Sequence, residues 1–131
     1  MKYLLTIYDE ESGFAEATPE DIQQVMAAYE KFGRDASEAG VMLGGEGLQP
    51  SGTATSVRVR DGETITSDGP FAETREQLGG YYLLDCRDLD EAIGWAAKIP
   101  GAQSGTVEVR PVMNYEAAGM STGGEAHEGA R

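Results

Sequence analysis

Polar and apolar residues alternate from Lys2 to Tyr8, with Tyr3, Leu5 and Ile7 on one side and Leu4, Thr6 and Tyr8 on the other. An alternating run rich in aromatic and branched residues predicts a strand, and two usable faces place it inside a sheet. Asp9 to Ala17 reads as a polar loop around Gly13. The period then changes. Thr18-Pro19-Glu20-Asp21 supplies a capping residue, a proline for the first turn and two acids for the positive end of the helix dipole. Ile22, Val25, Met26, Tyr29, Phe32, Ala36 and Ala39 follow at helical spacing until Gly40 stops the run. Gly33 sits inside this helix, at a cost of about 1 kcal/mol relative to alanine.

Val41-Met42-Leu43 begins a second strand, which the glycines of Gly44-Gly45-Glu46-Gly47 break up. From Ala54 to Arg60, Val57 and Val59 share one face while Ser56, Arg58 and Arg60 share the other. Asp61-Gly62 is a strong hairpin turn signal, and Thr64 to Ser67 returns. Gly79 to Cys86 is a further strand. Asp88-Leu89-Asp90-Glu91 has capping-box form, and Leu89, Ala92, Ile93, Ala96 and Ala97 line one helical face until Pro100-Gly101. Thr106 to Met113 is the last strand, with Val107 and Val109 inward. Residues 116–131 are mostly Gly, Ala, Ser and Glu, with almost nothing to bury, which predicts a disordered tail behind one domain over residues 1–115.

With the hairpin set aside, the order is βαββαβ, the ferredoxin-like arrangement of the α+β class. Both helices then pack on one sheet face. The other face holds Leu4, Thr6, Tyr8, Glu108, Arg110, Val112 and one of Tyr81 and Tyr82. A half-apolar face of this size calls for a cover. A second copy of the chain is the expected one, giving a homodimer with a cavity between the sheets or at their rim.

The chain of 131 residues has 10 basic and 23 acidic side chains, a net charge of −13, and no basic patch. Phosphate backbones are bound through Lys and Arg, so nucleic acid is not an expected partner. No apolar run approaches ~18 residues, so no membrane partner is expected either. The apolar start is too short for a signal peptide, and a cytoplasmic location follows. With one cysteine, Cys86, and one histidine, His127, the sequence offers no disulfide, no zinc site and no histidine-based triad. Neither a metal nor a cofactor is expected.

Asp68 is the first candidate for acid–base chemistry. It follows a strand, precedes Gly69-Pro70, and falls at a sheet edge, where desolvation raises a carboxyl pKa. The other reading is an Asx-turn, with its side chain bonded to the backbone ahead of Pro70. Glu108 and Arg110 share a face, as an interface ion pair or with Arg110 holding a ligand carboxylate. Arg58 is either a solvated edge charge or an anion-binding group. The glycines around Glu46 match no phosphate loop and read as a kink that aims Glu46 at the cavity or the turn. Tyr8, Tyr81, Tyr82 and Phe71 serve either as a ligand's aromatic wall or as core. The candidate set is therefore Asp68 for catalysis, with Tyr8, Glu46, Arg58, Phe71, Tyr82 and Arg110 for binding a small organic molecule.

Asp68-Gly69-Pro70-Phe71, then Ala72-Glu73-Thr74-Arg75-Glu76 and Gly79-Gly80-Tyr81-Tyr82, resembles the signature of the DGPF-type branch of the YCII-related proteins. The opening Met1-Lys2-Tyr3-Leu4-Leu5 and the closing Val107-Glu108-Val109-Arg110-Pro111 are similar to that branch too. The resemblance implies a dimeric ferredoxin-like fold akin to the α+β barrel of muconolactone isomerase. Relatives implied by it include a dehydrochlorinase of a hydroxylated aromatic and proteins encoded with, or fused to, extracytoplasmic-function sigma factors. Two functions follow as expectations. One is a cofactor-independent isomerase or lyase with an Asp base; the other is a non-catalytic regulatory or binding module. The His–Asp pair of the founding branch is not carried over, because no histidine precedes His127.

Overall fold

A computed structural model describes residues 1–117 and residue 119. Strands β1 (Lys2–Asp9), β2 (Met42–Gly47), β5 (Gln77–Asp85) and β6 (Thr106–Pro111) form a four-stranded sheet in the order β2-β5-β1-β6. Every pairing in it is antiparallel, which is the ferredoxin-like order of an α+β fold. Strands β3 (Thr55–Arg60) and β4 (Glu63–Asp68) pair only with each other, as a separate two-stranded ribbon.

Helix α2 (Pro19–Glu38) starts as its sequence dictates. Thr18 Oγ1 accepts from the Asp21 amide at 3.1 Å, and the Asp21 carboxylate accepts from the Thr18 amide at 3.3 Å. Gly40, at φ +78°, ends it. Its buried stripe is narrower than the apolar pattern, for Phe32 and Ala36 are buried while Met26 and Ala39 face outward. Helix α3 (Leu89–Ala96) is capped by Asp88, which accepts from the Glu91 amide at 2.9 Å. Glu91 reaches one residue further back than a capping box requires, to the Arg87 amide at 2.7 Å. The core lies between the helices and one sheet face, where Tyr3, Leu5, Ile7 and Leu84 meet Phe32, Ala36, Ala92, Ala96 and Ile99. Cys86 belongs to this core, and burial, with Glu91 and Asp85 nearby, pushes its thiol pKa up.

Two short helices fall in segments with no periodic signal. Helix α1 (Glu11–Ala15) occupies the expected polar loop, and α4 (Gly101–Ser104) follows α3. The glycines of β2 do not end that strand. It runs on to Gly47 after a bulge between Met42 and Gly44. Gly45 lies under the Tyr82 ring, where an added Cβ would sit 2.6 Å from Tyr82 Cδ1. A glycine is therefore the packing solution at that point rather than a breaker. The tail expected over residues 116–131 lies, apart from Glu116, Ala117 and Gly119, outside the described residues.

Gly33 has no atom within 4 Å of where a Cβ would stand. Gly33→Ala should therefore raise stability by about 0.5–1 kcal/mol, read as a higher midpoint in urea unfolding at unchanged slope. A lower midpoint would show that the position has a neighbour this geometry lacks.

Candidate functional site

The ribbon carries the candidate site. Asp61 at φ +53° and Gly62 at φ +77° make the turn that the sequence signals. The resulting register pairs Ser56 with Ser67, Arg58 with Ile65 and Arg60 with Glu63 on one ribbon face. Thr55 pairs with Asp68, Val57 with Thr66 and Val59 with Thr64 on the other. On the first face Ser56, Arg58, Arg60, Ile65 and Ser67, with Pro70 and Phe71 beyond β4, enclose a concavity of about 310 Å³. This is the lower end of the range for small-ligand pockets.

The base of the ribbon is fixed from β3. The Gly69 amide donates to Ala54 O at 2.7 Å, and Ser56 Oγ donates to Gly69 O at 2.9 Å. Gly69 takes φ +90°, which a side chain would resist. Helix α1 clips both connections. Glu11 accepts from the Ser51 amide at 2.7 Å and from Ser51 Oγ at 2.8 Å on the way in. On the way out, Arg75 Nε donates to Glu10 at 2.7 Å, and the Glu11 amide donates to Gln77 Oε1 at 2.9 Å.

The residues singled out from the sequence fall into three places. Arg58 and Phe71 come together in the ribbon groove, and Phe71 is 82% exposed. Tyr8, Glu46 and Arg110 lie on the open sheet face, where register sets Glu46 beside Tyr81, Tyr81 beside Thr6 and Thr6 beside Glu108. Tyr81 is thus the tyrosine of the open face. Tyr82 lies on the helix side, its ring centroid 4.8 Å from that of Phe32, so it is core and not a ligand wall on the open face. Burial, and the Tyr29 phenol beside it, push the Tyr82 pKa up, so the hydroxyl keeps its proton.

Asp68 is exposed and stands on the ribbon face opposite Arg58. The Asx-turn expected of it is not formed. Ala54 O and Ser56 Oγ secure the turn instead, and among the described residues nothing hydrogen-bonds the Asp68 carboxylate. Arg60 and Ser67 are groove residues that the candidate set lacks. For Arg60 the signal was present, since it follows Arg58 by two on the same strand.

Glu108 and Arg110 pair within their own strand, Arg110 Nη2 to Glu108 Oε2 at 2.9 Å, and Thr6 Oγ1 adds a bond to Glu108 Oε1 at 3.3 Å. Arg110 holds the Glu108 carboxyl below its ordinary 4.5. A carboxyl lowered on folding stabilises above its unfolded pKa, and that contribution is lost as pH falls through the lowered value. A carbon-13 NMR titration should find the Glu108 midpoint below 4.5, moving upward in Arg110→Gln. No movement would dissolve the pair.

A larger hollow of about 480 Å³ lies between α2 and the α3–α4 region, lined in part by Phe32, Trp95, Lys31, Asp35 and Lys98. Its cations are engaged: Lys31 Nζ is 2.7 Å from Asp35, and Lys98 Nζ stands 4.5 Å above the Trp95 ring. The cations of the ribbon groove, Arg58 and Arg60, have no such partner among the described residues. Among the described residues no helix is long and apolar enough to cross a membrane.

The fold and groove define a small ferredoxin-like α+β protein with a concave hairpin inserted between its two halves. The YCII-related domain model matches residues 1–116, and the chain belongs to that family. It is similar to an uncharacterized protein of Rhizobium meliloti (strain 1021), with 40% identity over 118 residues that cover 88% of this chain and 95% of the relative.

Proposed function

We propose that this YCII-related protein acts as a homodimer that binds a small organic molecule in the ribbon groove. One observation carries the reading: every position of β3 and β4 except Ser56 is exposed, yet the ribbon is built around a concavity. A lone two-stranded ribbon is marginal in water, so a second surface has to support it. The open sheet face points the same way. Leu4, Tyr8, Tyr81 and Leu83 there are only half-buried, and Leu78 is exposed. Two copies that stack these faces cover both features, close a chamber at the sheet rim, and resemble the two-sheet barrel expected from the sequence.

Sedimentation equilibrium at micromolar concentration should return twice the 13.9 kDa chain mass. Hydrogen exchange should find the β3–β4 amides protected well beyond those of a free hairpin. A single-chain mass together with freely exchanging ribbon amides would sink the dimer.

The unengaged Asp68 carboxylate favours a second reading, cofactor-independent proton transfer on the ribbon face away from Arg58. Cover from a partner copy would shield that carboxylate from bulk water and set it against a bound molecule, the position a general base needs. Asp68→Asn should then abolish turnover while dimer mass and thermal midpoint stay unchanged. Turnover at the original rate in that variant removes Asp68 from the chemistry, and intact ligand affinity without any turnover in the parent marks a binding module.

A further inference from the structure

We propose that the ribbon groove selects a small organic oxyanion with an apolar ring or chain, its charge held by Arg58 and Arg60 and its apolar part lying against Phe71 and Ile65. The proposal rests on the reading above that the groove holds a small molecule, and it names the class of that molecule.

Charge is the first argument. Acids outnumber bases by 23 to 10 in this chain, so carboxylates are plentiful. Lys31, Arg75, Arg87 and Arg110 each have one within 4 Å. Arg58 and Arg60 have none among the described residues, as is also true of Lys2, Arg34 and Lys98, but Arg58 and Arg60 stand together on one strand face. Glu63 shares their ribbon face and pairs in register with Arg60, yet it forms no ion pair with it. Arg60 spends one donor on Val59 O at 3.0 Å, and among the described residues the Arg58 side chain makes no hydrogen bond. Two guanidiniums on alternate residues of one strand stand roughly 6.6 Å apart at the backbone. Their flat forks match a carboxylate or phosphate edge better than a lysine would.

Shape is the second argument. The groove is not uniformly polar, because Ile65, Pro70 and Phe71 line it together with the arginines and serines. Phe71 has no core role, with 82% of its surface exposed, and it is free to cover a ring. Ser67, which also lines the groove, offers a hydroxyl that takes no side-chain hydrogen bond among the described residues. A volume near 310 Å³ suits a single ring with one charged substituent rather than a nucleotide or a peptide.

The test uses the full chain labelled with nitrogen-15, and four probes: benzoate, phenyl phosphate, benzamide and acetate. Benzoate or phenyl phosphate should shift the amides of Ser56 to Arg60 and of Ser67 to Phe71, and the one that binds tells carboxylate from phosphate. Benzamide lacks the charge and acetate lacks the ring, so at equal concentration neither should match them. Arg58→Gln should weaken the binding about tenfold or more, as loss of a charged hydrogen-bond donor does. Arg60→Gln is the companion variant, and unchanged amide shifts outside the ribbon show that each variant is folded. If benzamide or acetate binds equally well, or Arg58→Gln binds benzoate and phenyl phosphate as before, the oxyanion class is overturned while the groove remains a ligand site. If none of the four moves the ribbon amides, both this proposal and the small-molecule reading of the groove fail.

Discussion

Phe32→Ala is expected to cost about 3–5 kcal/mol of folding free energy, the largest loss from any single side chain of α2. The ring is 3% exposed and packs between sheet and helix layers. Its centroid lies 4.8 Å from that of Tyr82 on β5 and 5.9 Å from that of Trp95 on α3, the latter edge-on. Truncation leaves a cavity bounded by three elements, none of which can close it without leaving its own contacts. A domain of this size has about 5–15 kcal/mol in hand, so the loss is a large share of the total. Urea unfolding measures it, with Phe32→Leu as the control that keeps most of the volume. A loss under 1 kcal/mol would show that the aromatic cluster is not the packing centre.

The second large effect concerns assembly. Leu83 sits on the open face, paired in register with Leu4, and takes no part in the helix-side core. Leu83→Glu should leave the single chain folded and place a carboxylate in the middle of the proposed interface. Burying an unpaired charge costs several kcal/mol, which weakens association roughly a hundredfold or more. Sedimentation at micromolar concentration should then return a single-chain mass with an unchanged helical signal. A variant that sediments like the parent would place the contact elsewhere on the molecule.

Much of the architecture was legible because local signals and tertiary fit agree. The alternation of β1, the Thr18 cap, the Gly40 stop and the Asp61-Gly62 turn all hold. What was not legible depends on partners distant in sequence. Gly45 looks like a breaker until the Tyr82 ring that covers it is known. The bulge opposite Ile7 and Tyr8 leaves Gly79 unpaired and interrupts the alternation, so the strand alone did not tell which of Tyr81 and Tyr82 faces the helices. Helices α1 and α4, of five and four residues, are too short to show a period.

The site was legible in part. Alternation alone put Ser56, Arg58 and Arg60 together. The opposite placement of Asp68 was also available, since the hairpin turn sets Asp68 against Thr55, three residues and therefore one face away from Arg58. The role of α1 was hidden, because Glu10 and Glu11 reach residues 65 and 40 positions away.

The separation of ribbon from sheet has a consequence for how such a protein diversifies. None of the ribbon's side chains belongs to the buried cluster that holds the sheet and helices together. Substitutions in the hairpin are therefore not penalised by loss of core packing, and those that preserve the scaffold need not preserve the groove. Descendants of one ancestor can exchange specificities here while keeping the same foundation, so a shared framework among them is poor guidance to a shared chemistry.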